Sequence, residues 1–351
     1  MILVINPGST STKVAIFDNI LNKLFEENLS HSVEELEQYP NIVDQKKLRF
    51  DKINDFLAKN KIELTSFEII VGRGGLVKPI AGGTYEVTPE LLKDLKIGVQ
   101  GQHASNLGGI IAHEIAQKIN KKAYIVNPVV VDEFTDIARV SGLSEYPRRS
   151  LFHALNQKAI LIKFCSDHNK DISNLSTIIA HLGGGITVGY HCNNRTIDVN
   201  NGLGGEGPLS PERCGTISPY TVFKLLDDYG LSETKKKLTG KGGLVDLLGT
   251  NDVREVQKMI DEGNEDAKLA LDAMCYQVAK QIGAFSIIEQ GKVEAILITG
   301  GVAHSKYVTD KISSYVKHIA EVFVYPGENE ILALAEAGQR VLLNQEVLQK
   351  Y

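Results

Sequence analysis

Cysteine is sparse. Four residues, Cys165, Cys192, Cys214 and Cys275, are scattered with no CxxC pair among them. That leaves no framework for disulfides and no spacing for a structural zinc, and it suits a reducing cytoplasm. Long apolar runs are missing too: no segment reaches the roughly 18 consecutive apolar residues that a membrane span requires. The opening Met1-Ile2-Leu3-Val4-Ile5 breaks at Asn6-Pro7-Gly8. With no basic lead and no small-residue cleavage site, it does not read as a signal peptide. Asn28-Leu29-Ser30 and similar matches to the glycosylation pattern are therefore chance matches. There is also little excess charge, with Lys+Arg 38 against Asp+Glu 43 and a net charge of −5. Such a balance argues against a broad grip on nucleic acid or an anionic membrane.

Several familiar motifs are absent. No G-x-x-x-x-G-K-[ST] loop occurs, since Gly240-Lys241 is followed by Gly242. Gly202-Leu203-Gly204-Gly205-Glu206-Gly207 matches G-x-G-x-x-G, but Pro208 and Pro211 follow where a helix should begin, so it is not a dinucleotide fingerprint. His113-Glu114 lacks the second histidine of a zincin.

Glycine, by contrast, is abundant, with 32 copies in 351 residues. They cluster at Gly72-Gly74-Gly75, Gly183-Gly184-Gly185, Gly202-Gly204-Gly205-Gly207 and Gly300-Gly301. Glycine clusters between apolar runs mark tight turns or close approach to a ligand. The length implies about two domains, at roughly 100–200 residues each.

Short β-branched runs alternate with longer helical patterns, which predicts an α/β fold. Strands are predicted at 2–5, 13–17, 68–71, 124–127, 177–182, 186–190, 196–199, 295–299 and 321–325. Thr88-Pro89 and Ser218-Pro219 each place a hydroxyl cap before an N1 proline. From Asp266 to about Glu289, apolar residues at Leu269, Ala273, Tyr276, Ala279, Ile282 and Phe285 predict a buried helix. One pattern occurs twice. Strand, polar turn and strand run through Ile2–Phe17 with the turn Asn6–Ser11, and again through Thr177–Tyr190 with the turn Gly183-Gly184-Gly185. The echo suggests a duplicated fold with a cleft between its halves.

Both turns are candidate phosphate cradles, because successive backbone N–H groups form an anion-binding concavity. Hydroxyls at Ser9, Thr10, Ser11 and Thr12 plus Lys13 supply more donors than a hairpin turn needs. Arg73 in Gly72-Arg73-Gly74-Gly75 and Arg213 in Pro211-Glu212-Arg213-Cys214-Gly215 have guanidinium groups suited to carboxylate or phosphate oxygens. Read alone, each arginine is better explained as a surface ion pair. Likewise His103, His153 and His181, taken singly, read as packed or surface histidines.

The stretches Asn6-Pro7-Gly8-Ser9-Thr10-Ser11-Thr12-Lys13, Arg148-Arg149-Ser150-Leu151-Phe152-His153, His181-Leu182-Gly183-Gly184-Gly185 and Arg213-Cys214-Gly215-Thr216-Ile217-Ser218-Pro219 form an ordered series with Thr299-Gly300-Gly301-Val302 and Asn329-Glu330-Ile331. This series resembles the motifs of the acetate kinase family, and of its butyrate kinase branch in particular, from residue 2 to about residue 340. The resemblance implies an α/β fold of two duplicated actin-like ATPase domains with an interdomain nucleotide cleft. The first domain would comprise residues 1–131 plus 332–351, and the second, nucleotide-binding domain residues 132–331.

The implied chemistry is in-line transfer of the γ-phosphoryl of ATP to a short-chain carboxylate, giving ADP and an acyl phosphate. By resemblance, Arg73, Asp132, His153 and Arg213 are the catalytic set. Asn6 and Glu330 would hold Mg2+, mainly through waters. Ser9, Ser11, Lys13, His181, Gly183, Gly184 and Gly185 would line the phosphate path, while Asp252, Arg254, Gly300 and Gly301 would frame the nucleotide. The carboxylate is already ionised near neutral pH, so positioning and charge neutralisation carry the transfer and no strong base is needed.

Gly75, His103, Phe152 and Gly204 would line the acyl pocket. Where acetate kinases carry bulkier side chains, Gly75 and Gly204 would leave room for a longer tail, each buried methylene being worth roughly 0.8 kcal/mol. A four-carbon or branched acid is thus expected ahead of acetate or propionate. The rival of another class is a non-catalytic, ATP-dependent switch of the actin or chaperone kind, which would have no use for an acyl site. A cytoplasmic homodimer or larger homo-oligomer is the family expectation, with no nucleic-acid or membrane partner.

Overall fold

Eleven strands build two sheets in the computed structural model, which describes all 351 residues, Met1–Tyr351. The first sheet holds β1 (Ile2–Pro7), β2 (Ser11–Phe17), β3 (Lys23–Ser30), β4 (Ile69–Arg73), β5 (Thr84–Glu86) and β6 (Ala123–Val126), in the order β3-β2-β1-β4-β6-β5. The second holds β7 (Ser176–Leu182), β8 (Ile186–Cys192), β9 (Arg195–Val199), β10 (Ala295–Gly300) and β11 (Glu321–Pro326), in the order β11-β10-β7-β8-β9. The echo in the sequence is thus an echo in topology. In each sheet an antiparallel meander, β1-β2-β3 or β7-β8-β9, is extended on the other side by parallel strands, β4 and β6 or β10 and β11.

The chain divides into two units, Met1–Asp132 with Asn329–Tyr351, and Glu133–Glu328. Asp132 and Glu330 therefore belong to the first unit. Central strands are apolar throughout, as strands covered on both faces must be: Ile2, Leu3, Val4 and Ile5 are wholly buried, as are Ile296, Leu297 and Ile298. In the first unit, helices Asn106–Lys118 and Glu330–Leu342 both pack on β1 and β4. The first of these comes so close that a Cβ on Gly72 or Gly108 would overlap the backbone of the other element. In the second unit, helix Ala154–His168 packs on β7 and β10, and helix Glu265–Phe285 on β7 and β8. No helix is long and apolar enough to cross a membrane.

Each of the predicted strands is present, but β3 and β5 are additional. β3 is an edge strand, Lys-Leu-Phe-Glu-Glu-Asn-Leu-Ser, mostly exposed and charged, so it carries no apolar alternation to read. Thr88 caps its helix as expected, accepting from the Leu91 N–H at 3.3 Å, whereas Ser218 makes no side-chain cap despite Pro219 at N1. The long helix spans Glu265–Phe285, but its buried stripe at the N-terminal end is Ala267, Ala270, Leu271, Met274 and Cys275. Leu269 and Tyr276 face solvent, at 69% and 50% exposure. Towards the C-terminal end Ala279, Ile282 and Phe285 are buried as expected, so only the N-terminal part of the stripe is shifted in phase.

Candidate functional site

In the first unit, parallel pairing of β1 and β4 sets their C-terminal ends side by side, with Ile5 opposite Gly72. The next residues, Asn6 and Arg73, meet there. Asn6 Nδ2 donates to Glu330 Oε2 at 2.7 Å, and Arg73 Nη1 donates to the same oxygen at 2.9 Å and to Asn6 Oδ1 at 3.3 Å. Glu330 opens the helix Glu330–Leu342, where a carboxylate complements the helix dipole. Arg73 does make the ion pair that a lone arginine suggests, but its partner is itself a candidate site residue. His103 feels this charge as well. Desolvation by the surrounding protein, then the Arg73 charge, lowers its pKa, although part of the side chain reaches solvent. Its Nδ1 accepts from the Ser105 N–H at 3.2 Å.

The turn between β1 and β2 is closed by the Gly8 N–H to Ser11 carbonyl bond at 2.8 Å. Ser9 and Lys13 are exposed and Ser11 is half-buried, so the donor side of the turn is open to a ligand. Behind it lies Arg49, wholly buried, which sequence reasoning missed. Its Nη1 donates to the carbonyls of Gly8 and Ser11 at 2.8 and 2.9 Å and to Thr12 Oγ1 at 3.1 Å. Its Nη2 donates to the Ser9 carbonyl at 3.0 Å and to Gln45 Oε1 at 2.9 Å. The guanidinium draws the turn's carbonyls inward. Arg49 lies among Lys46, Lys47 and Lys52 and reads as one more surface charge. The signal that could have found it is its helical phase with the buried Ile53 and Phe56.

In the second unit, the β7–β8 turn carries Gly183, Gly184 and Gly185. The Arg213 guanidinium lies directly on Gly185, where a Cβ would overlap it. The Arg213 loop is tied to the same turn, with Ser210 Oγ and the Glu212 N–H both donating to the Gly184 carbonyl, at 2.7 and 3.0 Å. Burial draws the Arg213 pKa down and the Glu212 charge opposes the shift. Arg213 Nη1 is buried without a hydrogen-bond partner. Beside it on β7, His181 is 1% exposed and neither ring nitrogen has a hydrogen-bond partner, with Glu328 Oε1 at 3.4 Å from Nε2. The His153 ring stacks on His181, centroids 4.1 Å apart. Buried donors left unmet cost roughly 1–3 kcal/mol each, so a cluster of them points to a ligand that meets them.

Thr299 pairs with His181 across β10 and β7, which brings Gly300 and Gly301 beside the histidine. Gly300 has φ +97° and its Cα abuts Leu182; Gly301 opens onto free space. Asp252 caps helix Val253–Asp261 and is clasped by Arg254, at 2.9 Å through Nε and 2.6 Å through Nη2. That clasp, then the Arg254 N–H, holds the Asp252 carboxyl at about 2. Asn251, next to Asp252 in the chain, donates to Glu212 Oε1 at 2.8 Å. Asp132 lies at the boundary, its N–H bonded to the Ile80 carbonyl at 2.8 Å.

Gly75 is packed against side chains of its own unit rather than facing an acyl tail. A Cβ on Gly75 would come within 2.6 Å of Asn106 Cα and 2.8 Å of Leu95 Cδ2, so the missing side chain there admits a helix, not an acyl tail. Phe152 is wholly buried. Gly204 is exposed and lines a shallow hollow of about 240 Å³ with Cys214, Ile217 and Val222 in the second unit. Arg148, of the Arg148-Arg149 pair, is structural, donating to Asp198 Oδ1 and the Ala138 carbonyl, both at 2.8 Å.

Comparison with known proteins accords with this arrangement. A crystal structure of Porphyromonas gingivalis acetate kinase matches with a TM-score of 0.79 at 19% identity, covering 97% of this chain and 99% of that one. A propionate kinase from Francisella tularensis matches with a TM-score of 0.75 at 20% identity, over 97% and 99%. The fold is that of the acetate kinases, two α/β domains of the actin-like ATPase type. The acetokinase family model matches residues 143–347. Butyrate kinase 2 of Clostridium acetobutylicum is 51% identical over 352 aligned positions, covering 100% of this chain and 99% of its own. The chain belongs to the acetokinase family.

Proposed function

We propose that the chain is a short-chain fatty-acid kinase of the butyrate kinase type, transferring the γ-phosphoryl of ATP to butyrate or a branched neighbour to give ADP and the acyl phosphate. The observation that carries this reading is the 51% identity to a butyrate kinase along the entire chain. The geometry supports a phosphotransferase with a carboxyl acceptor. In-line phosphoryl transfer needs donors at the transferring oxygens, and the unmet Arg213 Nη1 and the single N–H of a neutral His181 ring beside a glycine turn can supply them. His153 would donate to the transferring group with Arg213; Arg73 would hold the acyl carboxylate; Asp132 would position metal or substrate. The backbone around Ser9, Ser11, Lys13 and Gly183–Gly185 would take the phosphates, with Asp252, Arg254, Gly300 and Gly301 at the nucleoside.

Mg2+ fits the residues present. Asn6 Oδ1 and the Glu330 carboxylate offer oxygen donors, and no group of three His, Cys, Asp or Glu forms an all-protein cage. A hard ion that keeps its waters and binds substrate phosphates needs no more than this. When bound, Mg2+ would neutralise charge on the phosphate oxygens. Four free cysteines support a reducing, cytoplasmic setting. Exposed Tyr220, Phe223 and Leu231 on helix Pro219–Leu238 support a homo-oligomer.

The test traps acyl phosphate with hydroxylamine, using ATP, Mg2+ and acids from acetate to valerate, with isobutyrate and isovalerate. A maximum at butyrate or a branched neighbour is expected. A maximum at acetate would keep the reaction and overturn the acid. ATP hydrolysis indifferent to every acid would favour the switch.

A further inference from the structure

His153 is the first link of a buried chain of hydrogen bonds. Gln157 lies one helical turn further along, Thr187 and His191 lie on β8, and Thr196 lies on β9 opposite His191. All four are wholly buried. Gln157 Nε2 lies 3.0 Å from both the backbone carbonyl and the hydroxyl of Thr187. A carbonyl can only accept, so the amide nitrogen is pinned on that side and Oε1 must face the other way. There it meets His191 Nε2 at 2.8 Å, which must therefore carry a proton. Burial, then the Lys158 charge, holds His191 neutral. Its Nδ1 is then free to accept from the Thr196 hydroxyl at 3.2 Å.

At the other end, both amide hydrogens of Gln157 are committed to Thr187, one to the carbonyl and one to Oγ1. The Thr187 hydroxyl hydrogen points instead to its remaining partner, His153 Nδ1, at 2.9 Å. A neutral His153 then bears its proton on Nε2. We infer that Gln157, acting through Thr187, is a positioning residue that fixes His153 in the Nε2–H tautomer, so that the ring offers a donor and not a lone pair to the phosphoryl group in transfer. The inference rests on the reading of His153 as that donor. The role of one histidine nitrogen is set by the bond the other makes, and here the bond to Nδ1 is dictated through Thr187 by the Gln157 amide, which cannot turn over.

The experiment compares the full-length enzyme with Thr187→Val, which keeps the shape and removes the hydroxyl, with Thr187→Ser, which keeps the hydroxyl, and with Gln157→Met. Proton–nitrogen correlation spectra of ¹⁵N-histidine-labelled protein, with His153 assigned from His153→Ala, read the tautomer directly. The unaltered enzyme should show a protonated Nε2 and a bare Nδ1 at His153. Thr187→Val and Gln157→Met should give mixed tautomers and a kcat roughly 10- to 100-fold lower. KM for ATP and acid should stay within about 3-fold, since ground-state binding is untouched. Thr187→Ser should restore the tautomer and most of the lost rate. A protonated Nδ1 in the unaltered enzyme, or an unchanged tautomer in Thr187→Val, overturns the inference whatever the rates do. Full activity in His153→Ala overturns the reading of His153 as donor and leaves the tautomer to be judged by the spectra alone.

Discussion

The β1–β2 turn and the β7–β8 turn hold the same place in two sheets of the same strand order, yet they are braced in opposite ways. The first is backed by Arg49, whose Nη1 and Nη2 are both matched to oxygen acceptors. The second is faced by Arg213, one of whose nitrogens has no partner, and by His181, neither of whose nitrogens is hydrogen-bonded. Each turn has an arginine against it, Arg49 wholly buried and Arg213 half-buried with Nη1 enclosed; one is scaffold and the other is poised for a ligand. The comparison shows that burial alone does not identify a functional cation. Satisfaction is the sharper guide, because a buried guanidinium nitrogen left unpaired calls for a partner that the fold does not supply.

Arg213→Ala is the sharpest way to break that contrast. We expect acyl hydroxamate formation to fall by about 10²–10³-fold, the usual consequence of removing a transition-state donor. Thermal stability should stay level or rise, since the change removes a half-buried, partly unpaired charge. A near-normal rate, or a large fall in Tm, would make Arg213 a scaffold like Arg49.

Arg49→Met tests the other half. Five carbonyl, hydroxyl and amide acceptors would lose the Arg49 donor, those of Thr12 and Gln45 on buried residues. A loss of about 3–5 kcal/mol is expected, of the size seen when a buried charged network is broken, read by urea denaturation. Unchanged stability would mean that the turn holds its own shape.

Glycine substitutions sharpen the same comparison with a smaller effect. A Cβ on Gly185 would displace the Arg213 guanidinium, whereas one on Gly8 meets only Ser11, at 3.7 Å. Gly185→Ala should therefore slow turnover by about 10²-fold, as small misplacements at a phosphoryl site do, and Gly8→Ala far less. Equal losses in the two variants would erase the distinction between the turns.

Much of this was legible because apolar strands and polar turns are local signals. The strand–turn–strand echo at Ile2–Phe17 and Thr177–Tyr190 is the repeated meander, and Arg73 and Arg213 do end in glycine surroundings. What stayed hidden depends on register and contact. β3 is a charged edge with no core face. Arg49 hides among lysines of one helix, and Gln157, Thr187 and His191 are ordinary polar letters until β8 sets them in one column behind His153. Gly75 misled for the same reason: a glycine that admits Asn106 looks, in a sequence, identical to one that admits a ligand. That last ambiguity has its own check. Gly75→Ala should lower stability by about 1–3 kcal/mol, as overpacking does, without shifting the acid profile. A profile moved towards acetate at unchanged stability would return Gly75 to the pocket.

The least effect expected is a pH dependence, and it probes the histidine that backs the first turn. Behind the first, Thr12 Oγ1 lies 2.8 Å from His31 Nε2, and burial, then the charges of Arg49 and Lys52, lowers the His31 pKa to about 4, with Glu35 opposing. Unfolded, the imidazole titrates near 6.5. Between these values the unfolded chain binds the extra proton, so stability is fully present above about pH 6.5 and is lost as pH falls towards 4. His191, at the end of β8 far from the second turn, is lowered in the same direction, so the unaltered protein carries both contributions. Carboxylates add their own acid loss nearer pH 4, which makes pH 5–6.5 the window to read. Within it, His31→Gln should flatten the fall in Tm partway and leave the part due to His191. An unaltered slope would show that the proton taken up on acid loosening does not land beside Arg49, and that the first turn is held without regard to the charge state of the histidine behind it.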